Sequence, residues 1–452
     1  MKPVIAIVGR PNVGKSTLFN RLTRSRDALV ADRPGITRDR KYGHGEYNGK
    51  SFLLVDTGGL GEEETESTPI ADQITQQALQ AVIEADAVIW MVDGRAGLTA
   101  VDETIADQLR PLNRNIFVAV NKTEGQSPDI VTAEFHALGI GNVHAISAKR
   151  GSGIEALMNR LCDMLPETTG DSGGPDESLA ISIIGRPNVG KSTLVNRILG
   201  EERVLTFDQP GTTRDSIRIL FERESKSYSL IDTAGVRRRS RITDAVEKFS
   251  VIKTLLAIEE CDLVILVVDA RDEITEQDAS LLGLAVDSGR GIIIAVNKWD
   301  GLDPSKRRQV RGQCDRKLGF IDYACIHYIS ALHGSGVGKL FTSVEKIRRS
   351  INVSPSTPEL NKILRRIIEN HPPQLVKGRR IKLRYAHLGG KNPLRIVIHG
   401  NQVKQLPDSY RRYLANSFRK ELGLIGTPVF IELRQGENPY RDKGQSGKIR
   451  KR

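Results

Sequence analysis

The chain has 452 residues, a net charge of +12 and four cysteines, none of them in a C-x-x-C pair. This composition argues against a disulfide framework and a zinc site, and it favours a reducing compartment. The apolar runs are far too short for a membrane span or a signal peptide, so we expect a cytoplasmic protein. Residues 354–452 hold 22 Lys and Arg against 7 Asp and Glu, which indicates an acidic partner such as nucleic acid for the C-terminal region.

Two phosphate-binding loops are predicted. An apolar run at Val4–Val8 predicts a buried strand, and the octamer after it fits G-x-x-x-x-G-K-[ST]. The same octamer follows a second apolar run, Ala180–Ile184, and a helical pattern comes next in both copies. Strand, glycine-rich loop and helix are the arrangement that cradles a polyphosphate. The predicted nucleotide-binding residues of the two loops are Gly9, Arg10, Pro11, Asn12, Val13, Gly14, Lys15, Ser16 and Thr17, and Gly185, Arg186, Pro187, Asn188, Val189, Gly190, Lys191, Ser192 and Thr193.

Each copy also carries side chains suited to Mg²⁺ and the γ-phosphate. Hydroxyl and carboxylate oxygens are the ligands that Mg²⁺ prefers, and the predicted magnesium ligands are Ser16, Thr37 and Asp56, and Ser192, Thr213 and Asp232. The groups expected to act on the γ-phosphate are Lys15, Thr37 and Gly59, and Lys191, Thr213 and Gly235. The two threonines lie in loops that we expect to release when this phosphate is lost. Leu60 and Val236 stand where many GTPases carry a water-orienting Gln, so we expect slow hydrolysis without a further element.

A guanine pocket is predicted after a later strand of each copy. The carboxylate of Asp300, in an N-K-W-D tetrapeptide, can accept hydrogen bonds that guanine donates and adenine does not. The first copy has Glu124 at this place, which predicts weaker guanine binding. The backbone N–H of Ala148 and of Ala331 is expected to meet the keto oxygen. The predicted pocket residues are Asn121, Lys122, Glu124, Ser147 and Ala148, and Asn297, Lys298, Asp300, Ser330 and Ala331.

The two copies are a duplicated domain. Their motifs recur at an offset of 176 residues, and only the Ser-Ala motif is offset by 183, so the second copy carries an insertion of seven residues, which we place within Lys306–Lys317. Buried apolar runs alternate with helical patterns, which predicts a mostly parallel sheet with helices on both faces. The predicted domains are a first G domain at 1–166, a flexible linker at 167–178, a second G domain at 179–353, a small α+β domain at 354–440 and a basic disordered tail at 441–452.

Within the α+β domain the sequence predicts helix, strand, strand, helix and strand. These elements are expected at 359–370, 380–385, 394–398, 408–422 and 429–433. The letters Gly423-Leu424-Ile425-Gly426 match a G-x-x-G clamp, but they fall between a helix and a strand. We interpret them as a turn rather than as the nucleic-acid clamp of KH domains, which lies between two helices. This domain is therefore expected to contact the G domains or a protein as well as RNA.

These motifs, in this order, resemble the EngA, or Der, family of bacterial GTPases. The resemblance covers nearly the whole chain and implies α/β architecture, with two P-loop GTPase domains in tandem before a KH-like α+β domain. It also implies a monomer that binds GTP, GDP and Mg²⁺, and that acts in assembly of the large ribosomal subunit with nucleotide state controlling ribosome and rRNA binding. Asn12 and Asn188 match an asparagine that this class of GTPases uses in potassium-assisted hydrolysis.

Two other readings are left open by the residues. The first is an RNA-binding scaffold that nucleotide stabilises, with little hydrolytic role; the magnesium ligands predicted in both copies argue against it. The second is an ATP-driven enzyme with tandem phosphate loops, such as a transporter ATPase. Asn297-Lys298-Trp299-Asp300 selects guanine and so argues against an adenine pocket.

Overall fold

The computed structural model describes residues 2–23, 41–57, 78–112, 114–165, 178–200, 204–207, 218–231, 251–376 and 379–435. The chain divides into two compact units, Met1–Asp176 with Ser250–Leu256, and Glu177–Phe249 with Ala257–Arg452. The first unit contains the first predicted G domain, and the second contains the second G domain and the C-terminal domain. Among the described residues, no helix has the length and apolar character needed to cross a membrane.

A six-stranded sheet in the order β2-β3-β1-β4-β5-β6 forms the first G domain, and β2 alone runs antiparallel to its neighbour. Its strands are β1 (Val4–Gly9), β2 (Lys41–Tyr47), β3 (Lys50–Asp56), β4 (Ala87–Asp93), β5 (Asn115–Asn121) and β6 (Asn142–Ala145). Its helices are α1 (Lys15–Leu22), α2 (Ala100–Leu109), α3 (Pro128–Ala133) and α4 (Ile154–Met164), with 3-10 turns at Arg110–Leu112 and Glu134–Leu138.

The second G domain repeats this plan with one more edge strand, in the order β13-β12-β11-β7-β10-β9-β8. Its strands are β7 (Leu179–Ile184), β8 (Val204–Phe207), β9 (Ile219–Arg223), β10 (Lys226–Ile231), β11 (Leu263–Asp269), β12 (Gly291–Asn297) and β13 (Cys325–Tyr328). The helices of this part of the chain are α5 (Lys191–Leu199), α6 (Val251–Glu260), α7 (Glu276–Asp287), α8 (Pro304–Lys317) and α9 (Val337–Ile351).

The sheet register brings the predicted motifs to one edge. Gly9 pairs in register with Met91 of β4, and Asp56 with Ile7 of β1. All of these strands except β2 run parallel, so their carboxyl ends meet at one edge, as expected for a ligand site in an open α/β sheet. The central strands β11 and β12 are buried along their whole length, because helices cover both faces. The predicted α/β fold class is thus confirmed.

The C-terminal domain packs two helices on a three-stranded sheet, in the order β16-β17-β18. Its elements are α10 (Thr357–Asn370), β14 (Leu375–Val376), β15 (Arg379–Arg380), β16 (Lys382–Gly390), β17 (Leu394–Asn401), a 3-10 turn (Val403–Gln405), α11 (Asp408–Glu421) and β18 (Val429–Gln435). The predicted order is confirmed for α10, β16, β17, α11 and β18, and a short hairpin of β14 and β15, which the sequence did not predict, lies between α10 and β16. The strand expected at 380–385 instead runs to Gly390, because pairing of Gly390 with Arg395 extends the hairpin through residues of low strand propensity.

Candidate functional site

Both phosphate loops have the backbone conformation that their glycines and asparagines allow. Gly14 and Gly190, directly before α1 and α5, have φ of 106° and 99°, and Asn12 and Asn188 have φ of 62° and 63°. The Lys15 ammonium is buried at the loop, where it donates to the backbone oxygens of Gly9 and Arg10 at 2.9 and 2.8 Å. An ammonium held inside the loop adds its charge to the α-helix N-terminus, which favours an anion.

The second loop repeats this arrangement. Lys191 Nζ donates to the backbone oxygen of Arg186 at 2.8 Å, and Ser192 and Thr193 follow it in the first turn of α5 as Ser16 and Thr17 follow Lys15 in α1. The structure therefore places the loop residues of both copies, including Pro11, Val13, Pro187 and Val189, at the end of a strand and the start of a helix.

An arginine in each loop is tied to a fully buried aspartate 92 residues away. Arg10 Nε donates to Asp102 at 2.8 Å, and Arg186 Nε donates to Asp278 at 3.0 Å. Each aspartate also accepts from the threonine that caps its helix, Thr99 in the first copy. These side chains anchor the loop to the start of α2 or α7, and their contribution to binding is positioning. The sequence contained a usable signal, since the Arg, the Thr and the Asp all recur at the 176-residue offset.

A buried asparagine links the phosphate loop to the guanine loops in each copy. Asn121 Nδ2 donates to the backbone oxygen of Val13 at 2.7 Å, and Asn121 Oδ1 accepts from the N–H of Ala148 at 2.8 Å. Asn297 makes the same two bonds to Val189 and Ala331. The sequence assigned the alanine N–H to the guanine keto oxygen; in this structure it donates to the asparagine, because the amide supplies a donor and an acceptor at once.

Close packing against this asparagine requires glycine in the phosphate loop. A Cβ on Gly14 would lie 2.3 Å from Asn121 Nδ2, and one on Gly190 would lie 2.3 Å from Asn297 Nδ2. Both glycines also have a positive φ, a conformation that side chains disfavour. The loop and the base-recognition strand therefore form one packed unit.

The lysine of each guanine tetrapeptide adopts a left-handed conformation and reaches a carboxylate. Lys122 and Lys298 have φ of 66° and 60°, and they pair with Asp93 and Asp269. Burial raises the pKa of Asp93, but the hydrogen bond and charge of Lys122 and the backbone N–H groups of Arg95 and Ala96 together outweigh it and leave this pKa lowered. The lysine stems are thereby fixed beside the predicted pocket.

The two candidate base-recognising carboxylates have different partners. Glu124 accepts from the hydroxyl of Ser147, and its other oxygen pairs with Arg95 Nη2 at 3.1 Å. Asp300 pairs with Nε2 of His333 at 3.2 Å, and a hydrogen bond from Ser330 lowers its pKa. The longer Glu side chain thus still reaches the serine of its own Ser-Ala loop, and it is additionally bound by an arginine.

Ser16 and Asp56 form a pair of oxygen ligands that fits Mg²⁺. Ser16 Oγ donates to Asp56 Oδ2 at 2.9 Å, whereas Oδ1 of Asp56 is buried without a hydrogen-bond partner among the described residues. Burial raises the pKa of this carboxyl. A buried carboxylate oxygen without a partner is costly unless a cation or a donor meets it, so the donor set suits a hard cation. Of the other predicted ligands and γ-phosphate groups, Thr37, Gly59, Thr213, Asp232 and Gly235 lie outside the described residues.

Two sequence profiles match the chain. One, described as 50S ribosome-binding GTPase, matches residues 4–122 and again 180–298. The other, described as the C-terminal KH-domain-like region of EngA bacterial GTPase enzymes, matches residues 355–434. Among curated proteins, GTPase Der of Legionella pneumophila (strain Corby) is 54% identical over 443 residues, which cover 98% of this chain and 95% of that protein.

The chain belongs to the GTPase Der family. GTPase Der of Citrobacter koseri is 53% identical over 471 aligned positions, with 98% of this chain and 95% of that protein covered. As a Der-family member the chain is a GTPase with tandem G domains and a KH-like C-terminal domain. The structure of Aquifex aeolicus Era bound to GDP and AlF4⁻ covers 96% of this chain and 93% of its own at 17% identity, with a TM-score of 0.32.

The segment Gly423–Gly426 of this Der-family chain, which matches G-x-x-G, forms a turn that contacts the second G domain. Gly426 accepts from the N–H of Ile292 at 2.7 Å and donates to the oxygen of Tyr323 at 3.1 Å, and Ile425 N donates to Ser350. Arg419, from the preceding helix, pairs with Asp322 at 2.7 Å. The interpretation of this segment as a turn is confirmed, and its backbone groups are used inside the protein.

Proposed function

We propose that this chain binds and hydrolyses GTP to act in assembly of the large ribosomal subunit, and that its nucleotide state controls its binding to the ribosome and rRNA. The observation that carries the proposal is the duplicated site in a single chain that ends in a KH-like domain. The profile match described as 50S ribosome-binding GTPase supports the choice of the large subunit. The basic balance of residues 354–452 supports a contact with rRNA.

The residues of each site suit phosphoryl transfer to water. Lys15 and Lys191 place an ammonium where charge develops on the β- and γ-phosphates, which is the main catalytic contribution in this reaction class. Ser16 and Asp56 would hold Mg²⁺ in the first site, where the ion would neutralise phosphate charge. Ser192 and Asp232 are proposed for the same role in the second site.

A potassium ion is proposed as the further element that hydrolysis needs. Asn12 and Asn188 lie in the phosphate loops with φ of 62° and 63°, and both are exposed at the predicted site. An amide oxygen there can bind a monovalent cation beside the phosphates, where positive charge favours the transition state. Leu60 and Val236 have no group that can orient the attacking water.

We propose that strand β12 of the second unit carries nucleotide control to the C-terminal domain. Strand β12 ends at Asn297, which bridges the phosphate and guanine loops, and near its start Ile292 donates to Gly426 of the KH-like domain. One buried strand therefore contacts the guanine pocket at one end and the C-terminal domain at the other. A shift of this strand on nucleotide exchange would move the C-terminal surface.

Co-sedimentation with purified ribosomal subunits tests the proposal. The full-length protein is pelleted with small or large subunits in the presence of a non-hydrolysable GTP analogue, GDP or no nucleotide. Binding to the large subunit that depends on the nucleotide is expected. Equal pelleting in all three states, or pelleting with the small subunit alone, would contradict it.

That the protein is a monomer and that it is located in the cytoplasm both stay predictions.

A further inference from the structure

Helix α8 differs in length and in charge from its counterpart in the first G domain. It spans 14 residues, Pro304–Lys317, whereas its counterpart α3 spans six, Pro128–Ala133, followed by a 3-10 turn. Three residues of the seven-residue insertion lengthen this helix, and the other four lie in the connection 318–324 to the next strand, so the placement of the whole insertion within Lys306–Lys317 is only partly right. Helix α8 carries six Lys and Arg and one Asp, and the counterpart segment 128–138 carries two acidic residues and no Lys or Arg. The duplication has therefore diverged at this element toward a strong positive charge.

One side of α8 presents three arginines to solvent. Arg307, Arg308 and Arg311, here called the arginine face, are exposed, while Val310 and Cys314 on the adjacent flank of the helix are buried. Positions 307, 308 and 311 share a side because residues three and four apart are neighbours on a helix. Within the described chain, none of the three has a carboxylate within salt-bridge distance. Three guanidinium groups without counter-charges form a site for a polyanion.

Two aromatic rings pack between the arginine face and the predicted guanine pocket. The Trp299 and Tyr328 rings lie 4.3 Å apart, and the Arg311 guanidinium lies 5.8 and 5.2 Å from their centroids. Arg307 lies 5.7 Å from the Trp299 centroid. Trp299 immediately precedes Asp300, and its N–H donates to Ile329, the residue before Ser330. Cations stacked on aromatic rings are held in place, so the face has a fixed position beside both guanine loops.

The first G domain lacks this arrangement. Thr123 stands in place of Trp299, and Ala145 occupies the strand position of Tyr328, since each pairs with the equivalent valine of the preceding strand. The aromatic rings and the arginines thus occur together in the second copy and are absent together from the first. This joint occurrence indicates that the rings and the arginines act together.

We propose that the arginine face of α8 binds the sugar–phosphate backbone of RNA next to the second guanine pocket. The guanidinium fork matches a phosphate through two parallel hydrogen bonds, and a contact of this kind reads no base sequence. The inference rests on the proposed ribosomal function, and it adds a contact in the second G domain to those of the C-terminal region. An acidic protein segment would be the competing occupant.

The test uses the full-length protein and protein-free large-subunit rRNA, with affinity measured by filter binding over a range of KCl concentrations. Three variants are compared. One carries Arg307→Gln, Arg308→Gln and Arg311→Gln. A second carries Arg→Lys at the same three positions, which keeps the charge. The matched control carries Lys339→Gln, Lys346→Gln and Arg349→Gln on α9, three exposed basic residues of the same domain whose loss changes net charge equally.

The Gln variant is expected to weaken binding and to reduce the slope of log K against log[salt] by about 2–3, since each of the three lost phosphate contacts contributes about 0.7–0.9. The Lys variant and the α9 control are expected to keep the parent slope. Thermal unfolding and GDP binding report whether the variants fold. If the triple Gln variant does not fold, Arg308→Gln alone, which contacts no ring, is expected to reduce the slope by about 0.7–0.9.

Several results would overturn the inference. An unchanged slope in the Gln variant, or an equal fall in the α9 control, would show that the arginine face makes no specific phosphate contact. Loss of binding to whole subunits with unchanged binding to protein-free rRNA would assign the face to a ribosomal protein. In each case the proposed function stands if the parent protein binds large subunits. A parent protein that binds neither subunits nor rRNA would overturn both.

Discussion

Replacing Asn297 with alanine tests whether the buried bridge between the two loops carries binding energy. The side chain donates to the oxygen of Val189 at 2.8 Å and accepts from the N–H of Ala331 at 2.9 Å. All three residues are at most 3% exposed, so Asn297→Ala leaves one acceptor and one donor buried and unpaired. Each such group costs about 1–3 kcal/mol, which gives a total of about 2–6 kcal/mol, divided between the stability of the second unit and its nucleotide affinity.

Calorimetric titration of the full-length protein with GDP measures the binding share, in a Lys15→Ala background so that the second site is observed. At least a tenfold loss of affinity is expected, which corresponds to about 1.4 kcal/mol. Asn297→Asp keeps the acceptor for Ala331 but turns a buried carboxylate oxygen toward the backbone oxygen of Val189, so it is expected to lose at least as much affinity as the alanine variant. If Asn297→Ala kept the parent affinity and the parent unfolding midpoint, the two hydrogen bonds of Asn297 would contribute neither to binding nor to stability, and the prediction would be wrong.

Four further predictions follow from the two sites. Glu124→Asp is expected to tighten GTP binding at the first site by about tenfold, because the shorter side chain aligns its carboxylate with guanine, and Asp300→Glu to weaken the second site by a similar factor; calorimetry that finds no gain for Glu124→Asp would rule this out. The double variant Lys15→Ala and Lys191→Ala is expected to have no measurable GTPase activity, and residual turnover by the pure protein would point to another site. Hydrolysis is expected to be faster in K⁺ than in Na⁺ at equal ionic strength, and equal rates would exclude a potassium site. Deletion of 441–452, which removes six Lys and Arg and one Asp, is expected to lower the salt slope of ribosome binding by up to several units; an unchanged slope would show that these side chains meet only solvent.

Sequence patterns within short, contiguous segments were sufficient to predict the fold class and the strands and helices that flank the motifs. The phosphate loop lies between an apolar run and a helical pattern, so Lys15 and Lys191 could be placed from a dozen neighbouring residues. The fixed offset of 176 residues revealed the duplication because homologous copies keep their spacing. The helix–strand–strand–helix–strand order of the C-terminal domain was likewise readable from periodicity, since each element has its own apolar pattern.

Contacts between distant residues were decided by the tertiary structure. Arg10 and Asp102 are 92 residues apart, and their pairing depends on which strands are neighbours and how each loop leaves the sheet, which periodicity does not encode. For the same reason the sequence named Asn121 and Ala148 as pocket residues without showing that they bond to each other. The turn at Gly423–Gly426 was recognised, but its docking on Ile292 depends on how two domains pack. The charge of α8 was visible in the sequence, whereas the stacking of Arg311 on Trp299 and Tyr328 required the fold, because only the sheet order brings helix, tetrapeptide and strand together.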